Sequence, residues 1–353
     1  MDLPVMPPVK PMLARAAERI PEGMQYEAKW DGYRGLVFRD GDEVEIGSRS
    51  TKSLSRYFPE LLAAFRARLP ERCVLDGEIV VARDGRLDFD ALQERVHPAA
   101  SRVRKLAVEL PAAYVAFDLL ALDGERWLER PLSERRTALE EALDGVEDPV
   151  FLAPATYDIA VARDWFGQFE GAGLDGIVAK RPTLPYRPGE RAMTKVKHER
   201  TADCVVAGMR AHASGEGLGS LLLGLYDDGG TLHYVGACGA FSARERVRLW
   251  GELRPLAVDL DGHPWAAWQN AAAHETARLP GAPNRWSGGK DQSWVPLEPS
   301  LVCEVAFDHV QGMRFRHTAV FRRWRSDRSP ESCGFGQVRE PVRYDLAAVL
   351  GAS

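Results

Sequence analysis

The order of apolar and polar positions divides the chain near residue 200. Before it, short β-rich runs are punctuated by Asp-Gly pairs, and helical segments lie between. "GLVFRDGDEVEI" reads as two strands around Asp40-Gly41, and "CVLDGEIVVARDGRLDF" and "YVAFDLLALDGERW" repeat the pattern at Asp84-Gly85 and Asp123-Gly124. An Asp-Gly pair between alternating apolar residues is a strong hairpin signal. "SRYFPELLAAFRARL" instead places apolar residues at 57, 58, 61, 62, 65 and 69, which is helical spacing ended by Pro70. "DIAVARDWFGQFEGAG" predicts a second helix stopped by glycines. The pattern predicts an α+β domain built on antiparallel sheet.

After "KVKHERTAD" the texture changes. "CVVAGMRAH", "SLLLGLYD" and "LHYVGACGAF" predict short strands separated by glycine-rich turns. "SARERVRLWGEL" predicts a helix opening on a Ser242-x-x-Glu245 capping box. A Pro/Gly/Trp stretch, "LPGAPNRWSGGKDQSW", then precedes strands in "LVCEVAFDHV" and "TAVFRRW". Several short strands and one helix predict a small β-barrel of the OB-fold type. The expected organisation is a domain over 1–200 and a barrel domain over 201–353. No internal repeat is present, and glycines 215, 217 and 219 do not match a nucleotide-binding G-x-G-x-x-G.

Composition adds limits. The 353 residues, 45% hydrophobic and 27% charged, suffice for two or three globular domains. No apolar run approaches membrane-spanning length and the N-terminus lacks a signal pattern, so the expectation is a cytoplasmic protein with no membrane partner. Five widely spaced cysteines without a C-x-x-C pair predict free, buried thiols rather than a zinc site or disulfides. The net charge is −5, yet residues 180–200 hold seven Lys or Arg against two Glu, and residues 314–328 hold six Arg against one Asp. Two such patches are either solvated faces or contacts for a phosphate-rich partner.

Candidate chemistry begins at "YEAKWDGYRG", where Lys29, Asp31, Gly32 and Arg34 form K-x-D-G-x-R. A lysine that attacks phosphorus must be neutral, so its pKa must fall, and neighbouring cations achieve that. Arg34, Lys180, Lys195 and Lys197 are the candidates, the last two sharing one face of an extended strand. Glu78 in "LDGEIV" and Asp175 in "LDGIVAK" offer hard carboxylate oxygens to a cation such as Mg²⁺. Either acid alone is as readily a turn carboxylate. Phe117 in "YVAFDLL" is either core or an aromatic wall for a base.

Taken in order, Lys29-Trp-Asp-Gly-Tyr-Arg34, Ser48-Arg49-Ser50, Asp76-Gly-Glu78, Phe117-Asp118, Asp175-Gly-Ile-Val-Ala-Lys180, Lys195-Val-Lys197 and Arg325-Ser-Asp327-Arg328 resemble the nucleotidyltransferase motifs of ATP-dependent DNA ligases. With "PMLA" upstream and "RSDRSPESC" downstream, the chain looks most like the short bacterial C-type branch, over roughly residues 10 to 340. The resemblance implies an adenylation domain followed by an OB-fold, ATP and Mg²⁺ (or Mn²⁺) as cofactors, and nicked duplex DNA as partner. It implies that Lys29 forms lysyl-AMP, Glu27 lies beside the adenine and Phe117 stacks on it. Arg34 and Glu78 would hold ribose and phosphate, and Arg49 would lie near the phosphates. Glu78 and Asp175 would handle the metal, and Lys180, Lys195 and Lys197 would contact the α-phosphate and pyrophosphate. Arg323, Arg325 and Asp327 would swing over ATP about a hinge near residues 198 to 203. The family usually has Glu where this chain has Asp175, one methylene shorter, which leaves direct metal contact there open. The resemblance further implies a monomer with a repair role. Two other readings share the residues: an RNA ligase or RNA capping-type enzyme with the same core, and a non-catalytic binder of DNA ends.

Overall fold

The Asp-Gly turns close hairpins, and their backbone shows why those residues are there. At Asp84-Gly85 and Asp123-Gly124 both central residues have positive φ, the conformation that matches the twist of a two-residue hairpin. The first turn is offset by one residue: Asp40 pairs with Glu43, so Gly41 (φ 60°) and Asp42 form the loop. The computed structural model describes residues 1–215, 217–266, 293–338 and 344–350.

Two sheets make up the first unit. One runs in the order Leu13–Ala16, Arg191–Val196, Ile177–Lys180, Gln25–Ala28, Ala155–Thr156. The other runs Val150–Leu152, Ala113–Leu122, Arg72–Val80, Tyr33–Asp40, Glu43–Ser48, with Glu125–Arg126 turned back on Ala113–Leu122. Pairing is antiparallel except at two edges. Leu13–Ala16 lies parallel to Arg191–Val196 and Val150–Leu152 parallel to Ala113–Leu122, because both partners are far apart in sequence and no hairpin dictates their direction. The expected helices are Pro59–Arg68, stopped at Leu69 before Pro70, and Ile159–Gln168, which starts at an Asp158 cap and runs into a 3₁₀ turn over Phe169–Ala172. Three more, Phe89–Arg95, Ala100–Glu109 and Leu132–Ala142, occupy charged stretches with few apolar positions.

The second unit is a closed barrel. Strands Arg200–Ala211, Leu218–Tyr226, Leu232–Gly239, Val295–Phe307 and Ala319–Trp324 close in the order first, second, third, fifth, fourth, which is OB-fold topology. Helix Ala243–Leu253 carries the capping box in full, with Ser242 and Glu245 each bonding the other's backbone. Its core includes Cys204, Leu223, Trp265 and Cys303, all at zero exposure. All five cysteines are free and buried. Of "LPGAPNRWSGGKDQSW", residues 279–292 lie outside the described residues, while Trp294 packs edge-on to Trp265.

The units divide between His198 and Glu199. Residues 200–203, in the expected hinge, are instead already in the barrel ladder, with Arg200 opposite Phe307 and Asp203 opposite Glu304. The expected second domain of 201–353 also runs past the barrel. Leu346 and Val349 of helix Leu346–Leu350 are buried with Trp30, Val80 and Phe169 of the first unit, and the Leu346 N–H donates to Gly85 O at 2.9 Å. The tail's apolar face, not its position in sequence, decides where it packs.

Candidate active site

Lys29 follows strand Gln25–Ala28, and its main chain is tied at both ends to the Asp175-Gly176 turn. Its N–H donates to Gly176 O at 2.8 Å, and its carbonyl accepts from the Asp175 N–H at 2.9 Å. Gly176 allows a second close approach, that of the Val196 backbone on the neighbouring strand. It has φ +118°, and a Cβ there would fall 2.0 Å from Val196 O. Gly32 does the same on the other side of the lysine, where a Cβ would fall 2.2 Å from Ile79 O. The two glycines of "WDG" and "LDG" are therefore packing requirements that draw three strands together around Lys29.

Cross-strand register brings in the rest. Arg34 lies opposite Glu78, Glu78 opposite Val115, and Val178 sits between Glu27 and Lys195. The result is a cavity of about 380 Å³, the size of a small-ligand site. Lys29, Glu27, Arg34 and Glu78 line it, as do Arg49, Phe117, Lys180 and Lys195. Asp175 and Lys197 are beside it rather than in its wall. Asp175 Oδ2 lies 2.8 Å from Lys29 Nζ and 2.6 Å from Lys197 Nζ.

That ion pair reverses one expectation. Burial of Lys29 favours the neutral amine, but Asp175, with Asp31 and Glu78 behind it, outweighs burial and raises the Lys29 pKa. Lys29 is held as an ammonium. The effect expected of crowded cations falls on Lys195 instead, whose pKa is lowered by burial and then by Lys197 and Lys29. Asp175, despite burial, is held below its ordinary value by the two lysines. Glu78 is the opposite case: burial pushes it up to about 7 against Arg34 and Lys29.

Lys180 lies in the cavity wall against Glu27 and Phe117. It is buried, with Nζ 2.7 Å from Glu27 Oε2, 3.2 Å from Phe117 O and 4.7 Å from the Phe117 ring centre. The ammonium thus meets a carboxylate, a carbonyl and a ring face. Gln25 Nε2 adds a second donor to Glu27 at 2.7 Å, and the Tyr157 hydroxyl fixes the amide by donating to Gln25 Oε1. Arg34 is likewise aimed: both Asp76 oxygens take its Nε and Nη2 at 2.5 Å, and its guanidinium covers Phe117 at 4.4 Å. Tyr186 donates to Asp76 as well. Gln25 is in none of the motifs and Asp76 enters them only beside Glu78, although each stands two residues before a named acid and so on the same strand face.

Among the described residues no group of three or more His, Cys, Asp or Glu side chains is arranged to hold a metal ion. Arg323, Arg325 and Asp327 belong to the second unit. Arg323 ends strand Ala319–Trp324 one residue early, and Arg325 and Asp327 lie in the turn beyond it. Arg325 pairs with Asp327 at 2.7 Å and with Asp203 at 3.0 Å. This draws the Asp327 carboxyl down to about 2 and raises Arg325.

Comparison with known proteins bears on the same residues. Positions 11–197 match the family described as "ATP dependent DNA ligase domain", and 214–328 match "ATP dependent DNA ligase C terminal region". The chain belongs to the ATP-dependent DNA ligase family. It is 57% identical to "DNA ligase C2" of Mycolicibacterium smegmatis over 97% of both chains, and 53% identical to "DNA ligase C" of Mycobacterium tuberculosis over 99% of both. A solved chain from work on Lig E DNA ligases shares the fold at 17% identity, with a TM-score of 0.55 over 89% of this chain and 99% of that one. Within the ligase family this chain therefore sits with the short C-type members, as the motif order implied. No helix among the described residues is long and apolar enough to cross a membrane.

Proposed function

We propose that the chain seals nicks in duplex DNA with ATP, through a covalent AMP on Lys29. The observation that carries this reading is the Lys29 amine in a cavity shared with Phe117, Arg34, Glu78 and Lys195, in a member of the DNA ligase family. In the first step Lys29 Nζ attacks the α-phosphorus of ATP: a P–N bond forms, the bond to pyrophosphate breaks, and the amine loses its proton. AMP then passes to the 5′-phosphate of the nick, and the 3′-hydroxyl displaces it. Placement of charges supplies most of such catalysis.

The protonation pattern suggests how the amine is freed. Lys29 and Lys197 share Asp175 and together depress its basicity. A phosphate chain that drew Lys197 to itself would leave Asp175 more basic, 2.8 Å from the ammonium it must deprotonate. Glu27 is an acceptor held by two donors, so it suits a base edge that donates, as the adenine amino group does. Membership of the ATP-dependent DNA ligase family favours ATP over GTP and counts against an RNA capping role. Intact site chemistry counts against a non-catalytic binder.

A divalent cation fits this donor set. Burial pushes the Glu78 carboxyl up to about 7, so a cation beside it would favour its ionised form, and Asp175 has a second oxygen, so these two would hold Mg²⁺ or Mn²⁺. When bound, such a cation would neutralise charge on the leaving pyrophosphate. Arg323, Arg325 and Asp327 of the barrel serve only the first step, as in the family the chain resembles. A monomeric, nucleoid-associated repair enzyme is the corresponding cellular role. The test is incubation with α-labelled ATP or GTP, a denaturing gel, then addition of nicked duplex. Label from ATP that moves to DNA and disappears on sealing supports the reading; no label, or label only from GTP, overturns it.

A further inference from the structure

The barrel contains a buried carboxylate that none of the sequence motifs includes. Asp203, on strand Arg200–Ala211, lies opposite Glu304, and Glu304 lies opposite Arg323, so three adjacent strands carry one row of charges. Asp203 is 7% exposed. Both its oxygens lie 3.0 Å from Arg325 Nη1, and Arg328 Nε lies 3.5 Å from Oδ2. Its backbone is fixed in turn by one side-chain amide: Gln337 Oε1 accepts from the Asp203 N–H at 2.9 Å and Gln337 Nε2 donates to its carbonyl at 3.1 Å.

Arg325 is a bridge. Its Nη1 is committed to Asp203, its Nε and Nη2 to Asp327 at 2.8 and 2.7 Å, and its main-chain N–H to Val302 O at 2.8 Å. The planar fork of a guanidinium transmits direction, because two acids bound to opposite edges must lie near one plane. Asp327 is 64% exposed, and the ion pairs it makes among the described residues are with Arg325. An exposed carboxylate held by a half-buried arginine inherits its orientation from whatever holds the arginine.

We infer that Asp203 is a positioning residue for enzyme adenylation, setting the direction of Asp327 through Arg325. The inference rests on the reading that Arg325 and Asp327 serve the first step. A merely structural ion pair makes a different forecast, since a buried pair contributes little net stability and its loss would disturb every step that needs an intact barrel.

The experiment uses the full chain with Asp203→Asn, Asp203→Glu, Arg325→Ala and the double variant Asp203→Asn/Arg325→Ala. Three quantities are read: the single-turnover rate of enzyme-AMP formation, the sealing rate on a pre-adenylated nick, and Tm. Asp203→Asn keeps shape and one acceptor, so it tests charge and aim where a larger change risks misfolding. The expected result is adenylation slowed by about 10- to 100-fold, sealing of the pre-adenylated nick within about twofold, and partial recovery in Asp203→Glu. The double variant should be no slower than Arg325→Ala alone, because the two act as one unit. If Arg325→Ala is slow in adenylation but Asp203→Asn matches the parent, the inference falls and the reading of Arg325 stands. If Arg325→Ala itself adenylates normally, that reading fails and the inference with it. Equal losses in both steps would reduce Asp203 to a structural pair and overturn the proposal.

Discussion

The two units solve one problem, keeping basic side chains aimed without a bound phosphate, in different ways. In the first unit the cations surround a cavity and are satisfied by acids from distant strands: Lys29 by Asp175, Lys180 by Glu27, Arg34 by Asp76. In the barrel Arg323 and Arg325 meet Glu304 and Asp203 on the outer face of the ladder, with Asp327 supplied from the same turn. Enclosure makes the difference. Around the cavity, burial is strong enough to move a carboxyl to about 7 and to depress Lys195. On the barrel, short hydrogen bonds and not burial set the protonation of Asp327. A buried site can tune reactivity; an exposed one can only aim charge.

The comparison breaks most sharply at Lys29. Lys29→Ala should lower enzyme-AMP formation by about 10³-fold or more, with Tm nearly unchanged, as read from labelled ATP and a thermal melt. Lys29→Arg should fail equally, since a guanidinium stays protonated at any working pH. If either variant takes up label at the parent's rate, the nucleophile lies elsewhere. Next in size is Arg325→Ala, expected to slow adenylation by roughly 10²-fold while leaving a pre-adenylated nick sealed at near the parent's rate. Equal slowing of both would remove the distinction between an aiming face and a reacting cavity.

Asp175 sharpens the electrostatic half. Removing its charge in Asp175→Asn takes away the partner that raises Lys29, so the pH at which Lys29 reacts with an amine-acylating reagent should fall. Peptide mapping of the acylated lysine measures it. An unchanged profile would mean that the pair does not hold the proton. Asp175→Glu, which restores the family's usual reach, should adenylate at least as well as the parent across a Mg²⁺ titration.

The smallest effect concerns Glu78 and stability. Its folded pKa of about 7 lies above the ordinary carboxylate value, so between about pH 4.5 and 7 the native state binds a proton that the unfolded state has released. Stability therefore falls as pH rises through that window. Glu78→Gln should match the parent near pH 4.5 and exceed it by about 1–3 kcal/mol at pH 7.5, read from denaturant melts. A constant offset at both pH values would assign the effect to packing instead.

Residue patterns made much of this legible. Asp-Gly pairs marked the hairpins because only residues tolerant of positive φ fit those turns, and Ser242 with Glu245 marked a helix start because both side chains reach orphan backbone groups. The motif order groups Lys29, Glu27, Arg34, Glu78, Phe117 and Lys195, and the fold lines one cavity with them, since cross-strand register preserves what alternation puts on one face. Three things stayed hidden. The parallel edges were unreadable because no local turn encodes them. The tail helix Leu346–Leu350 was unreadable because five residues give too little periodicity to show which surface they cover. Asp203 was unreadable because its partner stands more than a hundred positions away.

The sequence by itself determined the barrel, the hairpins with their turn chemistry and the two-unit plan, because these depend on side chains within a few residues of one another. The tertiary structure alone decided the partners and hence the charge states. Lys29 is an ammonium because Asp175, 146 positions away, is brought within 2.8 Å where the Lys29 main chain bonds the Asp175-Gly176 turn. Lys180 meets Glu27 and the Phe117 carbonyl because its strand ends where the amine lies against both. Protonation follows distance and burial, and neither is a property of a residue's place in the chain.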